Sequence, residues 1–183
     1  MIIELPNFVD NETVDQIKNS IKPYVKKTEK SYYGTYRDGQ TVNITALATN
    51  DKNMSFLDGV LCNIFSKIQS DIIKRRYKPP FGSADSGYEY HIYRPGDLCH
   101  LHSDEEVSNG MLRYASVTLH LNTVNDGGKL VFPSQNKKIK TEKGKVVIFP
   151  PYGMFEHYVT ESSEDREVIV TWFVYDNVRV EVL

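Results

Sequence analysis

The second half of the chain consists of short β-branched and aromatic runs, and this pattern limits the fold more than any other feature. Most runs are bounded by Gly, Pro, Asn or Asp, which favour turns. Many short strands separated by turns are typical of a sandwich or barrel, such as a jelly roll. The predicted strands are residues 88–93, 115–121, 129–132, 145–149 and 168–175.

The first half has the spacing of helices instead. Asp10 or Asn11 can cap a helix, whose apolar positions recur at helical spacing at Val14, Ile17, Ile21, Tyr24 and Val25. A second helical pattern covers residues 54–77 and is followed by two prolines, which stop a helix. The segment between them, residues 31–45, is rich in Tyr, Thr and Gly and predicts a hairpin or mobile loop.

Helices first and strands later predict an α+β, β-dominated fold in one domain, residues 1–183. The expected architecture is a double-stranded β-helix core of the jelly-roll or cupin-like type, with the N-terminal helices packed on the outside. The helical part would cover about residues 1–80, and the β core about residues 85–183.

The charge balance gives no overall attraction to nucleic acid or to an anionic membrane. Lys and Arg number 22 and Asp and Glu 24, for a net charge of -2. No apolar run is long enough to span a membrane, and the N-terminus lacks the features of a signal peptide. Cys62 and Cys99 are interpreted as reduced thiols, although their number allows one disulfide. A cytoplasmic protein is expected.

His102 and Asp104 form an H-x-D tripeptide. Residues two apart in a strand point to the same side, so both side chains would face one pocket. His157, on a loop that enters a later strand, is placed to supply a third ligand. Two histidines and one carboxylate leave open positions on a non-haem Fe(II) ion. The tripeptide alone is a weak signal, because such pairs are usually polar surface contacts; His100 competes with His102 but lacks an Asp two residues later.

Arg166 lies nine positions after His157, at the start of the predicted strand that contains Trp172. A buried arginine is costly unless it meets an anion, and a small dicarboxylate would satisfy it through two parallel hydrogen bonds. The alternative is an exposed arginine paired with an acid of the polar turn 161–165. The pattern leaves these two interpretations open.

Several spaced motifs together resemble the prolyl 4-hydroxylase branch of the Fe(II)/2-oxoglutarate-dependent dioxygenase superfamily. The resemblance covers roughly half of the chain, residues 88–174. In chain order the matching elements are Tyr93, Gly96, His102-x-Asp104, Arg113, residues 118–122 (TLHLN), residues 127–132 (GGKLVF), Gly144, Phe149, His157, Arg166 and Trp172.

The resemblance implies roles for the strongest of these residues. His102, Asp104 and His157 would be the iron ligands. Arg166 would bind the distal carboxylate of 2-oxoglutarate, at a position where many relatives have lysine. Tyr93 would form a hydrogen bond near the co-substrate.

Four further positions have expected roles. His120 occupies a position where relatives often have tyrosine, so it either binds the co-substrate carboxylate or is a buried core histidine. Thr118 shares its strand face and would line the same pocket. Trp172 would pack beside the co-substrate. Arg113 is a candidate substrate contact near the pocket mouth, with a solvated arginine at a strand start as the alternative.

The implied activity is hydroxylation of a prolyl or other peptidyl residue, with consumption of O₂ and release of succinate and CO₂. The resemblance also allows ascorbate as an accessory reductant. The rivals are a same-fold oxygenase acting on a small molecule or nucleic acid, and a non-catalytic metal-binding barrel. The nucleic-acid branch usually has a second arginine soon after the first, and residues 167–172 contain none. Residues 32–40 are interpreted as a substrate lid or an ordinary surface hairpin.

Overall fold

The computed structural model describes residues 1–25, 39–73, 83–105, 107–108 and 111–179. In these ranges the chain forms three α-helices, α1 (Asn11–Val25), α2 (Ile44–Ala48) and α3 (Lys52–Ile68), and a π-helical turn, Gln69–Ile73, extends α3. The strands are β1 (Ile3–Leu5), β2 (Gln40–Asn43), β3 (Ser83–Asp85), β4 (Glu89–Tyr93), β5 (Cys99–His102), β6 (Val107–Ser108), β7 (Met111–His120), β8 (Leu130–Phe132), β9 (Lys137–Ile139), β10 (Val146–Phe149), β11 (His157–Val159) and β12 (Arg166–Arg179).

Both long helices begin at an aspartate cap. The Thr13 amide donates to Asp10 Oδ1 at 2.8 Å, and Asp51 Oδ1 accepts from the amides of Asn53 and Met54. Each cap satisfies amides that the first helical turn leaves without partners. The buried positions recur every three or four residues, so each helix places one apolar face on the protein. They are Val14, Ile17, Ile21 and Val25 in α1 and Met54, Leu57, Leu61, Phe65 and Ile68 in α3.

The strands form two antiparallel sheets. The large sheet has the order β1-β10-β7-β12-β4-β2, with β3 paired to β12 and β6 to β7, and the small sheet has the order β5-β11-β8-β9. The apolar faces of α1 and α3 share one hydrophobic core with residues of β7 and β12, including Leu119 and Phe173. This arrangement confirms the predicted jelly-roll core with helices on its outside. None of the described helices is long and apolar enough to cross a bilayer.

The segment predicted as a hairpin or loop, residues 31–45, is described from residue 39 onward, and there it forms a strand and the start of a helix. β2 is a strand of the large sheet and pairs with β4, about fifty positions further along the chain, and α2 follows it directly. Local alternation and turn residues do not reveal such a distant partner. Residues 26–38 and 74–82 lie outside the described residues, together with most of the predicted lid and the predicted proline stop of the second helix.

Two turns of the structure depend on glycine. Gly127 has φ +77°, and a Cβ built there would lie 1.9 Å from the Glu161 carbonyl oxygen. Gly144 has φ +76°, and its Cβ would lie 2.2 Å from the Val9 carbonyl oxygen. Both positions need a positive φ and a close backbone approach, which only glycine provides without strain. These turns fix the entries of the strands that surround the site described next.

Candidate active site

The three predicted metal ligands meet at one end of the small sheet. His102 ends β5 and is the cross-strand partner of His157, the first residue of β11. Asp104 was expected on the strand itself, but it lies in the loop two residues after the strand ends. Its Oδ1 is 3.6 Å from His102 Nε2 and 3.9 Å from His157 Nε2. All three ligand atoms lie within 4.8 Å of one another, a spacing at which one ion can bind them together.

Backbone carbonyls fix the orientation of both imidazoles. His102 Nδ1 lies 2.7 Å from the His100 carbonyl oxygen, and His157 Nδ1 lies 3.2 Å from that of Phe155. Each Nδ1–H donates to its carbonyl, so Nε2 is the ring nitrogen that faces Asp104 in both residues. His100, the competing candidate ligand, is exposed and contributes only its backbone oxygen.

Asp104 is held as a carboxylate. Burial alone raises the pKa of its carboxyl, but His157, the Ser116 hydroxyl, His102 and the Trp172 indole together lower the pKa below its usual value. A buried anion of this kind is stable only beside compensating positive charge or donors. The position therefore suits a bound cation.

The two imidazoles differ in proton affinity. Burial lowers the pKa of His157, so that side chain is neutral and ready to donate its lone pair. Burial also lowers the pKa of His102, but the Cys99 sulfur, the His100 carbonyl and the Asp104 carboxylate outweigh it and raise the pKa to about 9. A metal ion binding at His102 Nε2 therefore displaces a proton.

A second group of residues supports the Asp104 loop. Arg113 Nη1 donates to the Asp104 carbonyl oxygen at 3.2 Å, and the Arg113 guanidinium lies 4.0 Å from the centroid of the Trp172 ring. Arg113 is 7% exposed, so it is neither a solvated arginine nor an open rim residue. Its contacts connect it to a candidate metal ligand, and the predicted substrate contact remains a prediction.

Arg166 lines a cavity that the three candidate ligands also line. It starts β12 opposite Tyr93 of β4 and is 3% exposed, which excludes the surface alternative. Its Nε donates to Thr141 Oγ1 at 3.2 Å, and its guanidinium lies 5.4 Å from the Tyr93 ring centroid. In the described part of the chain no acidic side chain pairs with it. Burial accordingly lowers the pKa of Arg166.

Thr141 is a residue that sequence reasoning missed. Its hydroxyl donates to the Gly128 carbonyl at 2.6 Å and accepts from Arg166, so it links the guanidinium to the turn that contains Gly128. Thr141 follows β9 in a lysine-rich stretch with no distinctive pattern. Only the non-local contact with Arg166 reveals its role.

The cavity between the sheets contains the metal triad and Arg166 together. Its apolar walls come from both sheets and consist of Val117, Leu130, Phe149, Val159, Val168 and Val170. Tyr93, Thr118 and Trp172, which were predicted near the co-substrate, also line it, and so do Cys99 and His91, which the sequence did not single out. An apolar cleft with a few convergent polar groups is the usual form of a small-ligand site.

His120 lies behind this cavity and is not one of its lining residues. It is fully buried, and its Nδ1 accepts a long hydrogen bond of 3.4 Å from the Glu142 amide. Its Nε2 has no hydrogen-bond partner among the described residues. Burial, then Arg166 and Lys145, lower its pKa well below the usual value, so the imidazole is neutral. The two interpretations of His120 both remain predictions.

Comparison with known proteins gives the class of this chain. Residues 88–174 match the profile of the 2OG-Fe(II) oxygenase superfamily. No curated protein matches the chain. The matched segment contains the three candidate ligands and Arg166, so this part of the chain is similar to the 2OG-Fe(II) oxygenase superfamily, whose members are Fe(II)- and 2-oxoglutarate-dependent dioxygenases.

Within that class the chain has the fold of prolyl hydroxylases. The viral collagen prolyl hydroxylase of Paramecium bursaria Chlorella virus-1, solved with 2-oxoglutarate, superposes with a TM-score of 0.72 at 15% identity, over 95% of this chain and 96% of that one. A Pseudomonas putida prolyl-4-hydroxylase gives 0.72 at 17% identity, over 96% and 93%. A Trichoplax adhaerens prolyl hydroxylase, in complex with a peptide fragment of hypoxia inducible factor, gives 0.71 at 16%, over 96% and 83%.

The residues present fit the cofactors of this family, which are Fe(II), 2-oxoglutarate and O₂. Two imidazoles and one carboxylate are the donor set of non-haem Fe(II) oxygenases. The buried Arg166, which lacks an acidic partner among the described residues, fits a dicarboxylate. Both requirements are met in one cavity.

Proposed function

We propose that this protein hydroxylates a prolyl or other peptidyl residue of a peptide or protein and converts 2-oxoglutarate and O₂ to succinate and CO₂. In this proposal His102, Asp104 and His157 hold Fe(II), and Arg166 binds the distal carboxylate of 2-oxoglutarate. One observation carries the proposal: a single cavity contains the three ligand atoms within 4.8 Å and a buried guanidinium without an acidic partner among the described residues.

The side chains have distinct tasks in the reaction. Bound iron supplies the activation of O₂ and the oxidation of an unactivated C–H bond. Arg166, held by Thr141, orients the diacid through two parallel hydrogen bonds, and Tyr93 and Thr118 line its binding space. The Trp172 indole and the Arg113 guanidinium fix the Asp104 loop. The apolar wall excludes water, which protects reactive species from side reactions.

A peptide substrate is supported by the surface beside the ligands. The segment before His157 carries two exposed apolar side chains, Tyr152 at 37% and Met154 at 68%. The Gly153 amide donates to Glu105 Oε2 at 3.1 Å and so joins this segment to the loop of Asp104. Apolar and hydrogen-bonding groups next to a reaction centre suit an extended peptide. The Trichoplax relative with its bound peptide supports the same substrate class.

The test is succinate formation by the Fe(II)-loaded protein against three substrate sets: proline-containing peptides, free amino acids and oligonucleotides. The proposal expects succinate above the uncoupled background only with peptides, together with a product 16 mass units heavier, the mass of one oxygen atom. Asp104→Ala is the inactive control, because it removes one candidate ligand. Stimulation by oligonucleotides or free amino acids alone would replace the peptide proposal but keep the oxygenase class.

A further inference from the structure

A thiol lies inside the cavity that the proposed function uses. Cys99 begins β5, is 6% exposed and lines the cavity. Its sulfur is 3.9 Å from His102 Nδ1, on the side of the ring away from the candidate metal position. Cys99 also packs against Tyr93, the cross-strand partner of Arg166, and against Val168, which follows Arg166 by two residues in β12. The residue therefore borders the cavity in which the diacid would bind.

The second, independent observation is Arg166. This side chain is 97% buried and lines the same cavity, and Nε is the only guanidinium nitrogen with a hydrogen bond among the described residues. A buried guanidinium of this kind attracts a carboxylate, which can accept two of its hydrogens at once. Cys99 is near enough to influence the pKa of Arg166. A carboxylate bound at Arg166 would therefore be held close to the thiol.

We propose that Cys99 is a covalent modification site for small carboxylate-bearing electrophiles, in particular unsaturated dicarboxylates, and that Arg166 guides them to it. This inference rests on the proposed carboxylate-binding role of Arg166. The Cys99 sulfur adds to one carbon of the activated double bond and forms a C–S bond. The π electrons move to the neighbouring carbon, which takes up the proton that the thiol gives up. The product is a thioether, and no oxidant or reductant is required.

The modification would make co-substrate binding impossible. The attached diacid would remain in the space between Cys99 and Arg166, and its carboxylates would occupy the guanidinium. Conversely, bound 2-oxoglutarate would fill the same space and shield the thiol. Bound 2-oxoglutarate thus protects the Cys99 thiol against modification by an unsaturated dicarboxylate.

Cys62 provides an internal reference for the test. It lies exposed on α3, on the outer side of the large sheet, with the Ser66 hydroxyl 3.9 Å from its sulfur. It is thus remote from the cavity lining. The ratio of labelling at Cys99 to labelling at Cys62 cancels the intrinsic reactivity of each reagent.

The experiment treats anaerobic Fe(II)-loaded protein with fumarate or with its neutral diester, dimethyl fumarate, and quantifies both cysteines by peptide mass spectrometry. The expected Cys99-to-Cys62 ratio is at least about tenfold higher with fumarate than with the diester, because only fumarate offers carboxylates to Arg166. Saturating 2-oxoglutarate should lower fumarate labelling of Cys99 at least about tenfold and leave Cys62 unchanged. The visible absorption of the iron–2-oxoglutarate complex, recorded on the same sample, reports whether the co-substrate is bound.

Two variants complete the design. Cys99→Ser should lose only the cavity label. Arg166→Gln should lose the preference for fumarate but still react with the diester, which also shows that the cavity is intact. Equal ratios for the two reagents, or labelling that persists at Cys99 while 2-oxoglutarate is bound, would overturn the inference. If 2-oxoglutarate does not bind and the fumarate preference persists, the proposed function fails while the guided modification stands.

Discussion

Two buried arginines belong to the site, Arg113 beside the Asp104 loop and Arg166 in the cavity lining, and their surroundings differ. Arg113, at 7% exposure, rests on the Trp172 ring and donates to the Asp104 carbonyl oxygen. Arg166, at 3% exposure, has one hydrogen bond, to Thr141, and no acidic partner among the described residues. Arg113 contacts groups of the protein itself, whereas most of the hydrogen-bond donors of Arg166 remain available to a ligand in the cavity.

This difference indicates that Arg113 supports the metal site, whereas Arg166 is available to bind a ligand. A buried charge without an anion costs several kcal/mol, so its retention needs a compensating function. For Arg113 the Trp172 ring and the Asp104 carbonyl oxygen give part of that compensation. For Arg166 no described residue supplies an anion, and a bound dicarboxylate is the chemistry that fits. Substitutions of both arginines and of their neighbours test this difference.

Asp104→Ala should have the largest effect. It removes one of three candidate ligands and leaves the two imidazoles without the carboxylate between them. Turnover and Fe(II) affinity should fall by more than a hundredfold, beyond the roughly 10–100-fold typical of residues that only support a ligand. Metal titration and succinate assays measure both quantities. Asp97→Ala, in a turn outside the cavity lining, is a control for the loss of a carboxylate.

Arg166→Met should lower 2-oxoglutarate affinity by roughly a hundredfold or more, because two charge-assisted hydrogen bonds of about 1.5–3 kcal/mol each are lost. The metal-free protein should stay as stable or gain about 1–4 kcal/mol, since a buried charge is replaced by an apolar side chain of similar length. Calorimetric 2-oxoglutarate titration and urea unfolding report the two effects. Marked destabilisation with unchanged co-substrate affinity would mean that Arg166 is structural.

Arg113→Met should show the opposite pattern. It should weaken Fe(II) binding by about 10–100-fold, because the Asp104 loop loses a support. It should also lower the free energy of unfolding by about 2 kcal/mol, through the lost ring contact and hydrogen bond. The affinity for 2-oxoglutarate, measured at saturating metal, should change little. A large loss of co-substrate affinity in this variant would contradict the distinction between Arg113 and Arg166.

His120→Gln tests whether the buried His120 imidazole stays neutral in the folded protein. Because its pKa lies well below the usual 6.5, the unfolded chain takes up a proton below pH 6.5 and the folded protein does not. The contribution of the neutral His120 to the free energy of unfolding is therefore complete above pH 6.5. It decreases as pH falls, by up to about 1.4 kcal/mol per pH unit. Between pH 7.5 and 5.5 the wild type should lose more unfolding free energy than the variant, by about 1 kcal/mol. Parallel curves would show that His120 accepts a proton in the fold.

Much of the site could be predicted because its signals are local. Helical spacing identified the buried face of α1, and the H-x-D spacing with a later histidine identified the three candidate ligands. The position of Asp104 beyond the end of β5 was missed, since a two-residue spacing fits a loop as well as a strand.

Other features were out of reach because they depend on pairing across the fold. β2 is a strand only through its partner β4. The link from Thr141 to Arg166 spans 25 positions and has no sequence signature. The position of Cys99 in the cavity lining follows only from the fold, although its place three residues before His102 was a visible clue.

The most direct test of the central claim is an anaerobic titration of the Fe(II)-loaded protein with 2-oxoglutarate, followed by the visible charge-transfer band of the chelated iron. The wild type should develop the band, Arg166→Met should need roughly a hundredfold more 2-oxoglutarate, and Asp104→Ala should show none. An absent band in the metal-loaded wild type, or equal titration curves for the wild type and both variants, would contradict the account.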